Sequence, residues 1–240
     1  AMCNDDGCVI DDGVITKLGE NDYYFTTSTG RAGVTAEWIR YHTRYDNWDF
    51  NLVNLTDALG VINLAGPNAR DVLSRVIDQD IDPEVLPFSG TGIYSICKDI
   101  QVRLMRLGFV GELSFEIHVP ASFMETVWDL ILDAGSPYHI QNFGVEAQNV
   151  LRLEKGHLIL GQESEQRTTL LDLGLGFLWC STMPEAKKTG SVALHQTVSQ
   201  TDRLTLVGIK IQEPNTVPGD GCIIVHDKEI KGYVCTVRKS

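Results

Sequence analysis

Apolar and polar residues alternate most clearly over 113–119. Leu113, Phe115, Ile117 and Val119 fall on one face of a strand, and Ser114, Glu116 and His118 on the other. Apolar runs at 93–97 and 100–107 predict two neighbouring strands, and residues 61–65 predict a buried one. Gly66, Pro67 and Asn68 open a helix carrying Val72, Leu73, Val76 and Ile77, with Pro67 in its first turn. A second helix follows Pro120 and is expected to bury Phe123, Val127, Leu130 and Ile131. Strand, helix, strands and helix in one stretch predict an α+β sandwich of the ferredoxin-like type.

Nearer the start, residues 7–15 and 23–29 read as strands, with a hairpin turn at 19–22. Val34, Trp38, Tyr41 and Tyr45 recur at helical spacing, which predicts a helix with Trp38 in the core; residues 46–49 read as a turn. A further helix is expected over 145–154 and a linker at 184–189, followed by strands at 204–211, 222–225 and 232–237. The chain is expected to comprise a strand-rich module (1–54 with 149–190), the α+β module (55–148) and a partial β-barrel piece (191–240).

Charge narrows the function classes. The 240 residues carry 20 basic and 32 acidic side chains, a net charge of −12, with no basic run, so nucleic acid and anionic membrane surfaces are poor partners. No apolar run approaches the length of a membrane span. The six cysteines form no CxxC pair and the six histidines show no HExxH spacing. Reduced structural thiols, no metal site and a cytoplasmic protein are the expectation. A dinucleotide fingerprint, a phosphate-cradling P-loop and a GxSxG nucleophile are also missing from the sequence.

Two acidic positions stand out. Asp11 and Asp12 are adjacent on a predicted strand, so their side chains point to opposite faces and one acid is expected to reach a pocket. Glu116 lies between Phe115 and Ile117 beside the glycine-containing turn 108–111. A carboxylate on a rigid strand can accept two parallel hydrogen bonds from an amidine-like edge, such as the 2-amino-pyrimidinone of a pterin. A solvated strand face is the plainer alternative.

Taken in order, residues 8–14 (CVIDDGV), 18–30 (LGENDYYFTTSTG), 63–76 (NLAGPNARDVLSRV), 108–120 (GFVGELSFEIHVP) and 150–166 (VLRLEKGHLILGQESEQ) resemble the folate-binding aminomethyltransferase family. That family includes the glycine-cleavage T-protein and the folate domains of sarcosine oxidase and dimethylglycine dehydrogenase. Residues 26–30 and 152–156 look closer to the sarcosine oxidase α-subunit type.

The resemblance implies tetrahydrofolate as cofactor, Asp12 as the acid near the reacting nitrogens and Glu116 as the pterin anchor. Phe109 falls where T-proteins have a tyrosine, and Ser28 where they have an asparagine. Gln148 falls where they carry an arginine for the folate's glutamate tail, and His157 is a further lining position. The implied activity is one-carbon transfer from a small amine or aminomethyl donor. A non-catalytic folate-binding or assembly module of an oxidase complex is the alternative, with oxidase subunits or a second copy as candidate partners. Relative to the family, the chain looks shortened at both ends, which predicts open strand edges.

Overall fold

The computed structural model describes residues 1–45, 48–179, 188–213 and 215–239. Cys180 and parts of the expected turn at 46–49 and linker at 184–189 therefore lie outside the described residues. The chain divides into two compact units, residues 1–48 with 158–240 and residues 49–157.

In the first unit, β1 (Met2–Cys3) pairs antiparallel with β2 (Val9–Asp11), and β3 (Ile15–Lys17) with β4 (Tyr23–Phe25). The second pairing is the expected hairpin, closed by the Leu18 amide donating to the Asp22 carbonyl at 2.8 Å. Residues 7–15 are thus split between two small sheets rather than forming one strand. Helix α1 (Ala32–Thr43) follows where the spacing predicts it, but Val34, Tyr41 and Tyr45 are exposed and Thr35 is its buried residue. Trp38, expected in the core, is half-buried and packs 4.3 Å from the His42 ring.

The second unit contains β5 (Leu59–Ala65), α2 (Ala69–Leu73), β6 (Thr91–Ile96), β7 (Ile100–Met105), β8 (Ser114–Pro120), α3 (Met124–Gly135) and α4 (Val145–Lys155). The four strands form one antiparallel sheet in the order β5-β8-β7-β6. Ile62 and Leu64 of β5, Val102 and Leu104 of β7, and Phe115, Ile117 and Val119 of β8 join Val72, Leu73, Val127 and Ile131 in one core. The α+β class is therefore observed. Its connection differs from the split βαβ expected of a ferredoxin-like unit, because β6, β7 and β8 run as a meander and β5 closes against β8. Phe123, expected inside, is exposed because it sits in the 3₁₀ turn that precedes α3.

The remainder of the chain returns to the first unit. Helix α5 (Ser191–Val198) places Leu194 in a second core with Cys3, Val9, Leu170 and Leu173, and Leu206 packs against it. Burial pushes the Cys3 thiol up, as do burial and the nearby Asp6 for Cys8, so both are protonated packing groups at neutral pH. β9 (Ile223–His226) and β10 (Glu229–Tyr233) form an antiparallel hairpin. Residues 204–211 form no strand, although they alternate; among the described residues they bond the core through the Leu206 amide to the Asp172 carbonyl at 2.7 Å. Alternation requires a ladder partner to become a strand. Residues 149–190 are expected with the first module and 191–240 in a piece of their own; α4 falls in the second unit and α5 in the first.

Candidate functional site

In the first unit, β2 ends in the acid pair. Asp11 is fully buried, accepts a hydrogen bond from Thr35 Oγ1 at 3.0 Å and lies 3.9 Å from Arg31 Nε. Both partners belong to the start of α1, so Asp11 ties the strand to the helix. Asp12, the residue after β2, has different partners and is half-buried. Its Oδ1 accepts from Ser28 Oγ at 3.2 Å, which brings together two of the residues named from the sequence. Gly13 follows with its backbone against the Thr26 carbonyl, leaving only 1.9 Å between that oxygen and any Cβ at position 13. Only glycine fits there.

In the second unit, the loop between β7 and β8 docks on the end of α4. The Phe109 and His157 rings are stacked, with centroids 5.5 Å apart and planes 16° from parallel. His157 Nδ1 lies 2.6 Å from the Phe109 carbonyl oxygen. A carbonyl only accepts, so Nδ1 carries the proton, and Nε2 of the neutral ring is an acceptor. Arg152 is fully buried and donates to the His157 carbonyl at 3.1 Å. Gly111, at φ +92°, lies against the Lys155 methylenes, a backbone conformation and an approach that a side chain would disfavour.

Glu116 projects from the face of β8 opposite the core. Its side chain is 29 % exposed and its Oε2 lies 3.5 Å from His118 Nε2. Ser114 and His118 flank it and are both buried, so this face is not the solvated one that polarity alone suggests. Gln148 lines a cleft of about 410 Å³ along β5, together with Asn63, Trp128 and Phe143; Phe109, Glu116 and His157 are not among its lining residues. No Asp, Glu, Lys or Arg lines this cleft.

The structure thus pairs Asp12 with Ser28 and Phe109 with His157, holds Glu116 beside His118, and places Gln148 in the cleft. Of two residues near Glu116, one escapes a reading of the sequence. His118 shares its strand face, and Asn63 sits directly across from it on β5. The alternation of β8 signals the first; the second requires the pairing register. No metal-binding cluster of His, Cys, Asp or Glu occurs among the described residues, and no described helix is long and apolar enough to cross a membrane.

Comparison with known proteins gives this arrangement a family. Residues 1–181 match the family model described as the GCVT N-terminal domain. The sarcosine oxidase subunit alpha of Rhizobium meliloti (strain 1021) is 32% identical over 217 residues, 89% of this chain and 22% of that protein. An aminomethyltransferase of Clostridium botulinum (strain Okra / Type B1) is 29% identical over 244 residues, 100% of this chain and 63% of its own length. This chain therefore spans less than two thirds of the relatives it matches. The crystal structure of the glycine cleavage system aminomethyltransferase T from Bartonella henselae superposes with a TM-score of 0.66 at 23% identity, covering 82% of this chain and 51% of that one, which is a likeness of fold. With three quarters of its length matched by the family model, the chain belongs to the GCVT N-terminal domain family of aminomethyltransferases.

Proposed function

We propose that this chain is a tetrahydrofolate-dependent transferase of one-carbon units, taking an aminomethyl or methylene group from a small amine donor or a carried aminomethyl group. The observation that carries the reading is the asymmetry of the acid pair in a member of this family. Asp11 is consumed by contacts to α1, and Asp12 is left half-exposed with one hydroxyl partner among the described residues.

The residues present fit a reduced pterin by their chemistry. Glu116, partly exposed on a strand, accepts the two donors of a 2-amino-pyrimidinone edge. The Phe109–His157 stack supplies flat surface. Gln148 donates hydrogen bonds without charge, so an anionic tail is held more weakly than by a guanidinium. Tetrahydrofolate, when bound, supplies the N5 and N10 nitrogens that take up the one-carbon unit. Asp12 orients the reacting nitrogen, and its negative charge stabilises the positive charge that develops during transfer. A cytoplasmic setting fits the cysteines among the described residues, which are all unbridged.

Asp12→Asn tests this. It is expected to abolish one-carbon transfer from sarcosine, dimethylglycine or an aminomethyl carrier while leaving folate affinity, measured by calorimetry, nearly unchanged. Full transfer by Asp12→Asn would show that the catalytic assignment is wrong. One observation favours a second reading, a non-catalytic folate-binding or assembly module working with oxidase subunits: the 32% identity to a sarcosine oxidase subunit of which the chain covers 22%. Folate binding without transfer from any of the three donors is the result that selects it.

A further inference from the structure

Glu116 shares its surroundings with a donor that has no side-chain partner among the described residues. The β5–β8 register sets Asn63 directly opposite Glu116. Opposed residues of an antiparallel pair project to the same face, with Cβ atoms roughly 4.5–5.5 Å apart. Asn63 Oδ1 accepts from the buried Ser114 hydroxyl at 3.4 Å, which orients the carboxamide and leaves its Nδ2 hydrogens without a side-chain partner among the described residues. Asn63 is half-buried on the strand face that it shares with Glu116, so its carboxamide is within reach of a ligand held there. On the other side of Glu116, His118 Nε2 lies 3.5 Å from Oε2. The sheet therefore presents a carboxylate acceptor with an amide donor beside it.

This pattern complements one edge of a 2-amino-4-oxo-pyrimidine ring, which reads donor, donor, acceptor: the 2-amino group, N3–H and the 4-oxo oxygen. Resting on the reading that Glu116 grips the two donors, we propose that Asn63 is a specificity-determining residue that donates from Nδ2 to the 4-oxo oxygen. A 2,4-diamino ring meets the same site with a donor facing a donor, so the face selects oxo over amino at that carbon. Ser114 contributes indirectly, by holding the amide in the orientation that points Nδ2 outward.

The test is calorimetry of this chain with folic acid and with aminopterin, which carries an amino group in place of the 4-oxo. Wild type is expected to favour folic acid. Asn63→Ala should lower the folic acid to aminopterin affinity ratio by about five- to tenfold, the value of one hydrogen bond. Asn63→Asp should lower it further, because a carboxylate accepts from the 4-amino group. The ratio is taken on one protein sample, so a partly unfolded variant does not alter it. An unchanged ratio in both Asn63 variants, with Glu116→Gln still weakening folic acid, overturns the Asn63 assignment alone. If Glu116→Gln also leaves folic acid affinity unchanged, or if wild type binds neither compound, the folate reading of this face fails and the Asn63 assignment falls with it.

Discussion

Adjacent residues of the same type do different jobs here, and the reason is local. Asp11 is at 0% exposure, with the equally enclosed Thr35 as hydrogen-bond donor. Removing its carboxylate leaves a buried hydroxyl without an acceptor and empties a packed site. Asp11→Ala is therefore expected to cost about 3 kcal/mol of stability in urea titration. Asp12→Ala should change stability by less than about 0.5 kcal/mol, because its carboxylate is half-exposed and its hydrogen-bond partner among the described residues is a serine. Equal destabilisation by the two changes would contradict the division. Strand alternation made it legible that the two acids diverge. Which of them is buried depended on where α1 docks, and no feature of residues 7–15 encodes that.

At the scale of elements, the first unit positions its acid pair with very short strands, and their geometry depends on one close approach. Val14 and Thr26 bond each other through the Thr26 amide to the Val14 carbonyl at 3.0 Å and the Val14 amide to Thr26 Oγ1 at 3.3 Å. Gly13 passes beside the Thr26 carbonyl with no room for a side chain. Gly13→Ala must push the two segments apart, with an expected loss of about 3 kcal/mol in thermal or chemical unfolding and a displaced Asp12. A Gly13→Ala protein as stable as wild type would show that the approach is looser than described. The glycine is readable in the sequence as a turn signal, but its packing is not. Likewise, helical spacing located α1 correctly yet gave no account of its exposed Val34 and Tyr41.

For the whole molecule, the informative feature is apolar surface on the C-terminal segment. Leu204, Val207 and Ile209 are exposed on a stretch outside any strand, and Ile223, Val225, Ile230 and Tyr233 are exposed on a two-stranded hairpin. Two-stranded sheets are marginal in isolation, and unpaired apolar edges recruit other chains. Concentration-dependent self-association is expected in sedimentation velocity, and the double change Val207→Lys and Ile209→Lys should reduce it. Salt should strengthen the association by screening the net charge of −12. A monomer at all concentrations and salt levels would show that this surface is inert.

The sequence by itself determined the α+β class, the strands around Glu116, the α1 and α3 helices and the divergence of Asp11 from Asp12, because each follows from short-range periodicity. Tertiary structure decided the rest. The pairing of β5 with β8 set Asn63 across from Glu116 over a separation no local pattern spans. Packing of α5 placed Leu194 in the core of Cys3 and Val9, and the docking of a loop on α4 stacked Phe109 on His157. Periodicity fixes which face of an element is apolar. What meets that face, and which polar groups come together opposite it, is fixed by register and burial between residues distant in the chain.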